Sequence, residues 1–473
     1  MPSSQLSGAK LALLEKRLGR TFSDAGVTNR IPRRPQKERA PLSVQQHRLW
    51  LALEKEGRPS FYHFVVQLTG SLDATAFCRA FDELVNRHEI LRTTLVVENG
   101  TPVQVIHPPR QSNMEFEDLS GLAAGEREQR VAQRSAELAR PFDLARGPLF
   151  RTVLLRLAEE EHVLLFTLLH MIADHWSIKL FTSEIATFYR AALEGKATPL
   201  PELPIQYGDY ASWQQQPSEQ ERLNEELQYW RAQLQGYDPV LRLPTDKPRP
   251  ALQTFRGAHE SILLSPELFE SLQSLSVREG TTLFMTMLAV LNVLLSSLTG
   301  RKDIGIATGV AGRNRVEIEP LIGCFINTLV MRTKLEGDPS FAELLRRVRE
   351  VALGAFAHQE TPFLKLVEEL IPAPDPSYSP MVQVSFALHN AAREAAEPAG
   401  ELRMNLSAVD PGRAPFDLTL RIQTGHGMIC SLEYNTDLFE QATITKILER
   451  YKHLSEQVAE DAELRLSQLG LEV

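Results

Sequence analysis

Two proline-rich breaks lie near the middle of this 473-residue chain: Pro199, Pro201 and Pro204, then Pro239, Pro244, Pro248 and Pro250. Proline has no backbone N–H and clashes with the preceding helical turn, so neither a continuous helix nor a central strand runs through such segments. The chain is also too long for one ordinary hydrophobic core. Together these features predict two lobes of comparable size, with their boundary between the breaks. The division expected is 1–40 as an N-terminal helix and basic linker, 41–215 as the N-terminal lobe and 216–473 as the C-terminal lobe.

Both halves mix strands and helices. In the first, Tyr62 to Leu68 reads as a strand and Asp73 to His88 as a helix. Ile90 to Val97 and Val103 to Ile106 read as a hairpin, because Asn99-Gly100 suits its turn. A charged helix over Glu126 to Ala139, strands over Phe150 to Leu157 and His162 to Leu169, and a helix over Trp176 to Glu194 follow. After a polar helix over Glu219 to Leu234, strands are expected at Glu260 to Leu264, Ile304 to Val310, Met381 to Leu388, Phe416 to Gln423 and Met428 to Tyr434. Helices are expected at Thr282 to Leu298, Ser340 to His358 and Ala442 to Ala459. The similar order in the halves predicts a pseudo-duplicated α/β architecture.

Hydrophobic residues at 43% and charged residues at 23% exclude a disordered chain. A net charge of -9 gives no electrostatic case for nucleic-acid binding. Residues 1–40 depart from this balance, with nine basic side chains against three acidic ones. There, leucines 11, 14 and 18 predict a helix starting near Ser7, and Thr28 to Pro41 reads as an extended linker, either a solvated lead-in or a docking element. Cys78, Cys324 and Cys430 are isolated, which predicts reduced thiols and a cytoplasmic protein. No apolar run reaches the ~18 residues that span a bilayer, so no membrane partner is expected.

The stretch LLHMIADHWS, Leu168 to Ser177, holds the densest chemistry. His170 ends an apolar strand, and Met171 to His175 form the turn into the next helix, a place where reactive side chains are commonly presented. A metal site would need further ligands, since His170, Asp174 and His175 fit neither HExxH nor a CxxC pattern. A serine hydrolase would need a GxSxG-like elbow, and the sequence has none. Two readings stay open from this stretch alone: a general base with a structural aspartate, and a buried, satisfied histidine.

Other segments bear on that choice. SVQQHRLWL (Ser43 to Leu51) is similar to SxAQxRLWxL, RHEILRT (Arg87 to Thr93) to RHExLRT, and RPFDLARGPLFR (Arg140 to Arg151) to PFDLxxGPLLR. YGDYASW (Tyr207 to Trp213) is similar to YxDFAxW, IGCFINTL (Ile322 to Leu329) to IGxFVNTL, and HQETPF (His358 to Phe363) to HQDxPFE. Asp375 to Leu388 is similar to DxSRxPLFQVMF, with Tyr378 and Ser379 replacing its central residues. In order and spacing, from about 42 to 465, the sequence resembles the condensation domains of nonribosomal peptide synthetases, whose HHxxxDG signature LHMIADH matches at His170 and Asp174.

The resemblance implies two chloramphenicol-acetyltransferase-like lobes in a V shape, with a tunnel and active site between them. It implies amide formation between a carrier-bound acyl thioester and a carrier-bound aminoacyl amine. The partners would be donor and acceptor carrier domains and neighbouring synthetase modules. Each carrier would insert a phosphopantetheine arm, and the domain itself would bind no cofactor or metal. By the same resemblance His170 is catalytic, as base or positioning residue, Asp174 is structural support, and Arg87 forms its salt bridge. His175, Trp176, Asn327, Ser385, His358, Gln359, Trp213 and Arg92 are tunnel candidates, with scaffold roles expected for Arg92 and Trp213 and helix closure an equal role for His358 and Gln359. Gly323 would serve backbone geometry.

Two positions depart from the signature. Leu169 replaces its first histidine, with a side chain expected to point away from the cleft. His175 replaces its glycine, where a positive φ or a close backbone approach would be expected. These departures raise an alternative, a degenerate domain that recruits a carrier or tailoring enzyme. A release enzyme using a free amine or alcohol is the other alternative.

Overall fold

The computed structural model describes residues 30–57, 60–111, 114–371, 373–390, 402–409, 412–425 and 427–469. The first half contains β1 (Arg39–Pro41), α1 (Val44–Glu56), β2 (Phe61–Thr69), α2 (Ala74–Arg87), β3 (Thr93–Glu98), β4 (Thr101–Ile106), β5 (Glu115–Asp118), α3 (Ala124–Leu138), β6 (Phe150–Ala158), β7 (Glu161–Leu169), α4 (His175–Leu193) and α5 (Tyr207–Gln214). The second contains α6 (Pro217–Gln233), β8 (Gly257–Leu264), α7 (Pro266–Arg278), α8 (Leu283–Thr299), β9 (Asp303–Val310), β10 (Asn327–Lys334), α9 (Phe341–Ala357), α10 (Phe363–Leu370), β11 (Val384–Asn390), β12 (Arg403–Ala408), β13 (Leu418–Thr424), β14 (Met428–Asn435) and α11 (Gln441–Glu460).

These elements build two α/β lobes. The first carries a five-stranded sheet in the order β12-β2-β7-β6-β5 and a small sheet β1-β4-β3. The second carries a six-stranded sheet in the order β10-β9-β11-β13-β14-β8. Local chemistry explains the boundaries. Ser43 and Gln46 form a reciprocal capping box on α1, and Asp73 caps α2. Asn99 and Gly100 take φ of 51° and 81°, as a tight turn between β3 and β4 demands. β7 is buried from His162 to Leu169, so its sequence is mostly apolar rather than alternating. Among the described residues no single helix is long and apolar enough to cross a membrane.

The expected division at 215/216 is crossed twice. β12, from the second half, pairs antiparallel with β2, from Arg403 opposite Thr69 to Ala408 opposite Phe64. Ile318, Leu321, Ile322 and Phe325 also sit in the first lobe's core, beside Tyr207 and Trp213. Apolar burial favours these crossings, because each brings buried side chains to a core already formed by β2, β7 and α4.

The basic lead-in also differs from its expectation. The helix expected near Ser7 lies outside the described residues, but residues 30–41 are built into the first lobe. Ile31 is in its core. Arg34 is buried and donates to Asp209 at 2.7 Å, Glu89 at 2.6 Å and the Lys37 carbonyl at 2.6 Å. A buried guanidinium held by two carboxylates is an anchor, since removing either partner would leave an uncompensated charge.

The secondary-structure reading holds within a few residues for the expected elements, with Glu89–Arg92 a short 3-10 turn instead of the start of β3. The expected strand at Met381 begins at Val384, after Met381 takes a φ of 71°. The strands β1, β5, β10 and β12 and the helices α1, α5, α7 and α10 have no counterpart in that reading.

Candidate active site

β7 delivers His170 at its end, and the turn Met171–Asp174 leads into α4. The His170 Nδ1 lies 2.9 Å from the Ala173 carbonyl, which can only accept, so Nδ1 carries the proton. Nε2 is therefore the basic nitrogen. It faces the Tyr62 hydroxyl at 3.2 Å, supplied by β2, whose Tyr62 pairs with Leu168. The Cys324 thiol lies 3.9 Å from Nδ1.

Electrostatics favour the neutral ring. Burial pushes the His170 imidazole below its ordinary value of 6.5, and the positive charge of Arg48 adds to that, while the Ala173 carbonyl and Asp174 oppose it. Burial pushes the Tyr62 phenol and the Cys324 thiol well above their ordinary ranges, so both stay protonated. The positive charges of Arg48 and of Arg421, on β13, oppose that rise at Tyr62.

Asp174 does not touch the His170 ring by a hydrogen bond; it fastens the turn. Its side chain caps α4, accepting from Ser177 N–H at 2.8 Å, and lies 2.7 Å from Ser177 Oγ. It also accepts from Phe325 N–H at 3.0 Å. Its cationic partner corrects the sequence expectation. Arg313, on the segment after β9, donates to Asp174 at 3.1 Å, whereas Arg87 pairs with Glu184 at 3.2 Å and donates to the Pro201 carbonyl at 2.7 Å. The physical reason is location: Arg87 ends α2 and meets α4 well beyond Asp174, where Glu184 also receives His88 Nε2 at 2.8 Å.

Arg313 reaches inward because its segment packs closely. Gly312 has φ of 64°, and a side-chain carbon there would fall 2.1 Å from the Phe325 carbonyl oxygen. Gly323 needs space rather than an unusual φ, since a Cβ would fall 2.1 Å from the Tyr207 ring.

The two departures from the signature are accommodated. Leu169 is fully buried in the first lobe's core. His175 opens α4 in ordinary backbone conformation, outside the left-handed region, so the strain expected of a glycine replacement is absent. Its exposed ring meets His389 of β11 at a centroid distance of 5.7 Å. Val384 and Phe386 of β11 enter the second lobe's core, so Ser385, Ala387 and His389 share the opposite face, toward the first lobe.

The remaining candidates divide between bracing and lining. Trp176 is 43% exposed and donates to the Glu319 carbonyl at 3.2 Å. Asn327 is buried and braces the 359–363 turn, donating to the carbonyls of Gln359 at 2.9 Å and Thr361 at 2.6 Å and accepting from Phe363 N–H at 3.1 Å. His358 ends α9, stacks on Tyr229 at 4.1 Å and meets Glu226 at 2.5 Å, while Gln359 donates to the Phe356 carbonyl at 3.1 Å. Arg92 donates to the His107 carbonyl, and Trp213 is buried beneath the Arg315 guanidinium. Trp213, Asn327 and Gln359 also line a small solvent-open cleft, together with Arg222, Arg315 and Glu360.

Tyr62, Arg48, Cys324 and Arg313 neighbour the site without having been singled out by sequence reasoning. Arg48 and Cys324 lie inside two of the matched motifs, SVQQHRLWL and IGCFINTL, so a signal exists for those two. Tyr62 and Arg313 have no motif signal. Among the described residues no three His, Cys, Asp or Glu side chains converge to hold a metal ion.

The family model described as "Condensation domain" matches residues 36–472. A linear gramicidin synthase polypeptide of Brevibacillus parabrevis is 43% identical over 472 residues, covering 98% of this chain and 9% of that protein. The chain thus spans about a tenth of that relative's length. The crystal structure of the X-domain from teicoplanin biosynthesis superposes with a TM-score of 0.84 at 29% identity, covering 93% of this chain and 99% of that one. A complex of the X-domain with OxyB from the same biosynthesis superposes equally, with a TM-score of 0.84 at 29% identity over 94% and 98% of the two chains.

Proposed function

Because the chain belongs to the condensation-domain family, we propose that it joins two carrier-bound substrates through an amide bond. A donor acyl group arrives as a thioester on one carrier's phosphopantetheine arm. The amine of an aminoacyl group on a second carrier attacks it, and the chain is transferred to the acceptor. The observation that carries this reading is the His170 tautomer: Nδ1 is spent on the Ala173 carbonyl, leaving a basic Nε2 that faces the Tyr62 hydroxyl.

In this mechanism His170 accepts the proton released as the amine nitrogen bonds to the thioester carbon. That proton then goes to the departing pantetheine thiolate as the C–S bond breaks, so the histidine ends neutral. Tethering both reactants in one cleft supplies a further share of the rate by fixing their approach. Asp174 acts through the backbone: by capping α4 and holding Phe325 and Arg313 it fixes the turn that carries His170.

A second reading rests on a different observation, the likeness to the X-domain, which has been solved together with OxyB. In that reading this domain holds a tailoring enzyme or a carrier and makes no bond. A reconstituted assay separates the two, using the full domain with donor-loaded and acceptor-loaded carriers. Amide from wild type, formed about a hundredfold or more slower by His170→Ala, supports condensation. No amide from wild type, where a standard domain works, overturns it. Product with a free amine or alcohol, without the acceptor carrier, would instead mark a release acyltransferase.

A further inference from the structure

The Tyr62 hydroxyl occupies the position from which a proton would reach His170. With Nδ1 protonated, the phenolic O–H donates to Nε2 at 3.2 Å, and the two rings tilt against each other at 4.7 Å between centroids. The base is therefore not open in the resting structure. An amine must displace the hydroxyl or pass its proton through it. Displacement would require the phenol to leave a ring contact reinforced by Phe64, stacked on Tyr62 at 6.1 Å. It would also turn a side chain whose backbone is held in the β2–β7 ladder, in which Tyr62 faces Leu168 and Phe61 faces Leu169.

From this geometry we infer that Tyr62 is a catalytic residue, a proton relay between the acceptor amine and His170. The inference rests on the condensation reading and adds a step to it. As the amine nitrogen bonds to the thioester carbon, one N–H proton passes to Tyr62 Oη while the hydroxyl's own proton passes to His170 Nε2. The phenol is neutral before and after, so no phenolate accumulates, which suits a group whose ionisation burial opposes. When the C–S bond breaks, the proton returns along the same path to the thiolate. The sum is amine plus thioester giving amide plus thiol.

The role differs from packing in what it predicts. Tyr62→Phe keeps the ring against Phe64 and His170 and removes only the hydroxyl. A single-turnover assay with both loaded carriers should then show an amide-forming rate lower by about 100-fold or more, the contribution typical of a general acid–base group, at unchanged dependence on acceptor-carrier concentration. Because the hydroxyl donates to the neutral imidazole, its removal should also shift the acid limb of the rate profile, and the NMR titration of the His170 ring, to higher pH. Wild-type rate and midpoint in Tyr62→Phe would overturn the relay while leaving condensation intact. A slower variant with an unmoved midpoint and a lower melting temperature would overturn it in favour of packing. No amide from wild type would remove both the relay and the condensation reading.

Discussion

Arg313 and Asp174 stand 139 residues apart in sequence and meet at 3.1 Å, with only 1% and 2% of their side chains exposed. The pair ties a segment that follows β9 to the N-terminus of α4, and hence to the turn bearing His170. Burial of both charges makes the contact unequal to its surface counterparts, because loss of one leaves the other stranded in low dielectric.

Arg313→Ala should therefore destabilise the protein by about 3–5 kcal/mol and depress activity together with it. Arg87→Ala should disturb the α2–α4 contact through Glu184 and His88 while leaving the Asp174 pairing in place. Urea unfolding of both variants checks this. Equal retention of stability in Arg313→Ala would contradict the assignment of Arg313 as the partner.

The depressed pKa of His170 sets a pH dependence. A histidine lowered by burial stays neutral, and so able to accept a proton, at pH values where a free imidazole is already charged. Activity should hold as pH falls from 8 toward about 6.5 and decline only below that, the ordinary histidine value. His170→Ala should lose about a hundredfold or more in single-turnover rate. A wild-type midpoint above the ordinary histidine value would contradict the burial argument.

His175→Gly tests the departure from the family signature. Because His175 sits at the first position of α4 without a left-handed φ, the exchange relieves no strain, and the stability change should stay within about 1 kcal/mol. The contact with His389 is lost, so the preference among acceptor side chains should change more than the rate with any one of them. Competition between two acceptor-loaded carriers measures this, and an unaltered product ratio would make His175 indifferent to substrate.

Asn327 braces the turn at 359–363 through three hydrogen bonds. Asn327→Ala should cost roughly 1–3 kcal/mol, since backbone groups at a buried turn lose their partners. The expected signature is a lowered urea midpoint with an unchanged acid limb of the rate profile. A shifted acid limb at native stability would instead put Asn327 in contact with the reacting groups.

The parts of the site legible in sequence are those that are local. His170 closes an apolar strand and Asp174 caps the helix that follows the turn, so strand, turn and cap can all be read from one short stretch. Arg87 reads correctly as the end of a helix, but which carboxylate it meets depends on how α2 lies across α4, and sequence spacing does not carry that angle. Arg313 and Tyr62 belong to elements whose spacing to His170 is set only by the closed fold. The basic lead-in departs from expectation for a related reason: charge predicts solvent exposure until two carboxylates, the buried Asp209 and the partly buried Glu89, claim one of the arginines. β12 is short, and its partner strand lies more than three hundred residues earlier, so nothing in its own sequence announces the pairing.

That pairing bears on how the domain can be recombined. A cut in the proline-rich linker that separated the halves would take β12 from β2 and leave β2 with an unmatched row of amides and carbonyls along its outer margin. Such a row invites a strand from another molecule. A first lobe separated at that seam should therefore self-associate, whereas one that keeps Arg403–Ala408 retains the partner of β2.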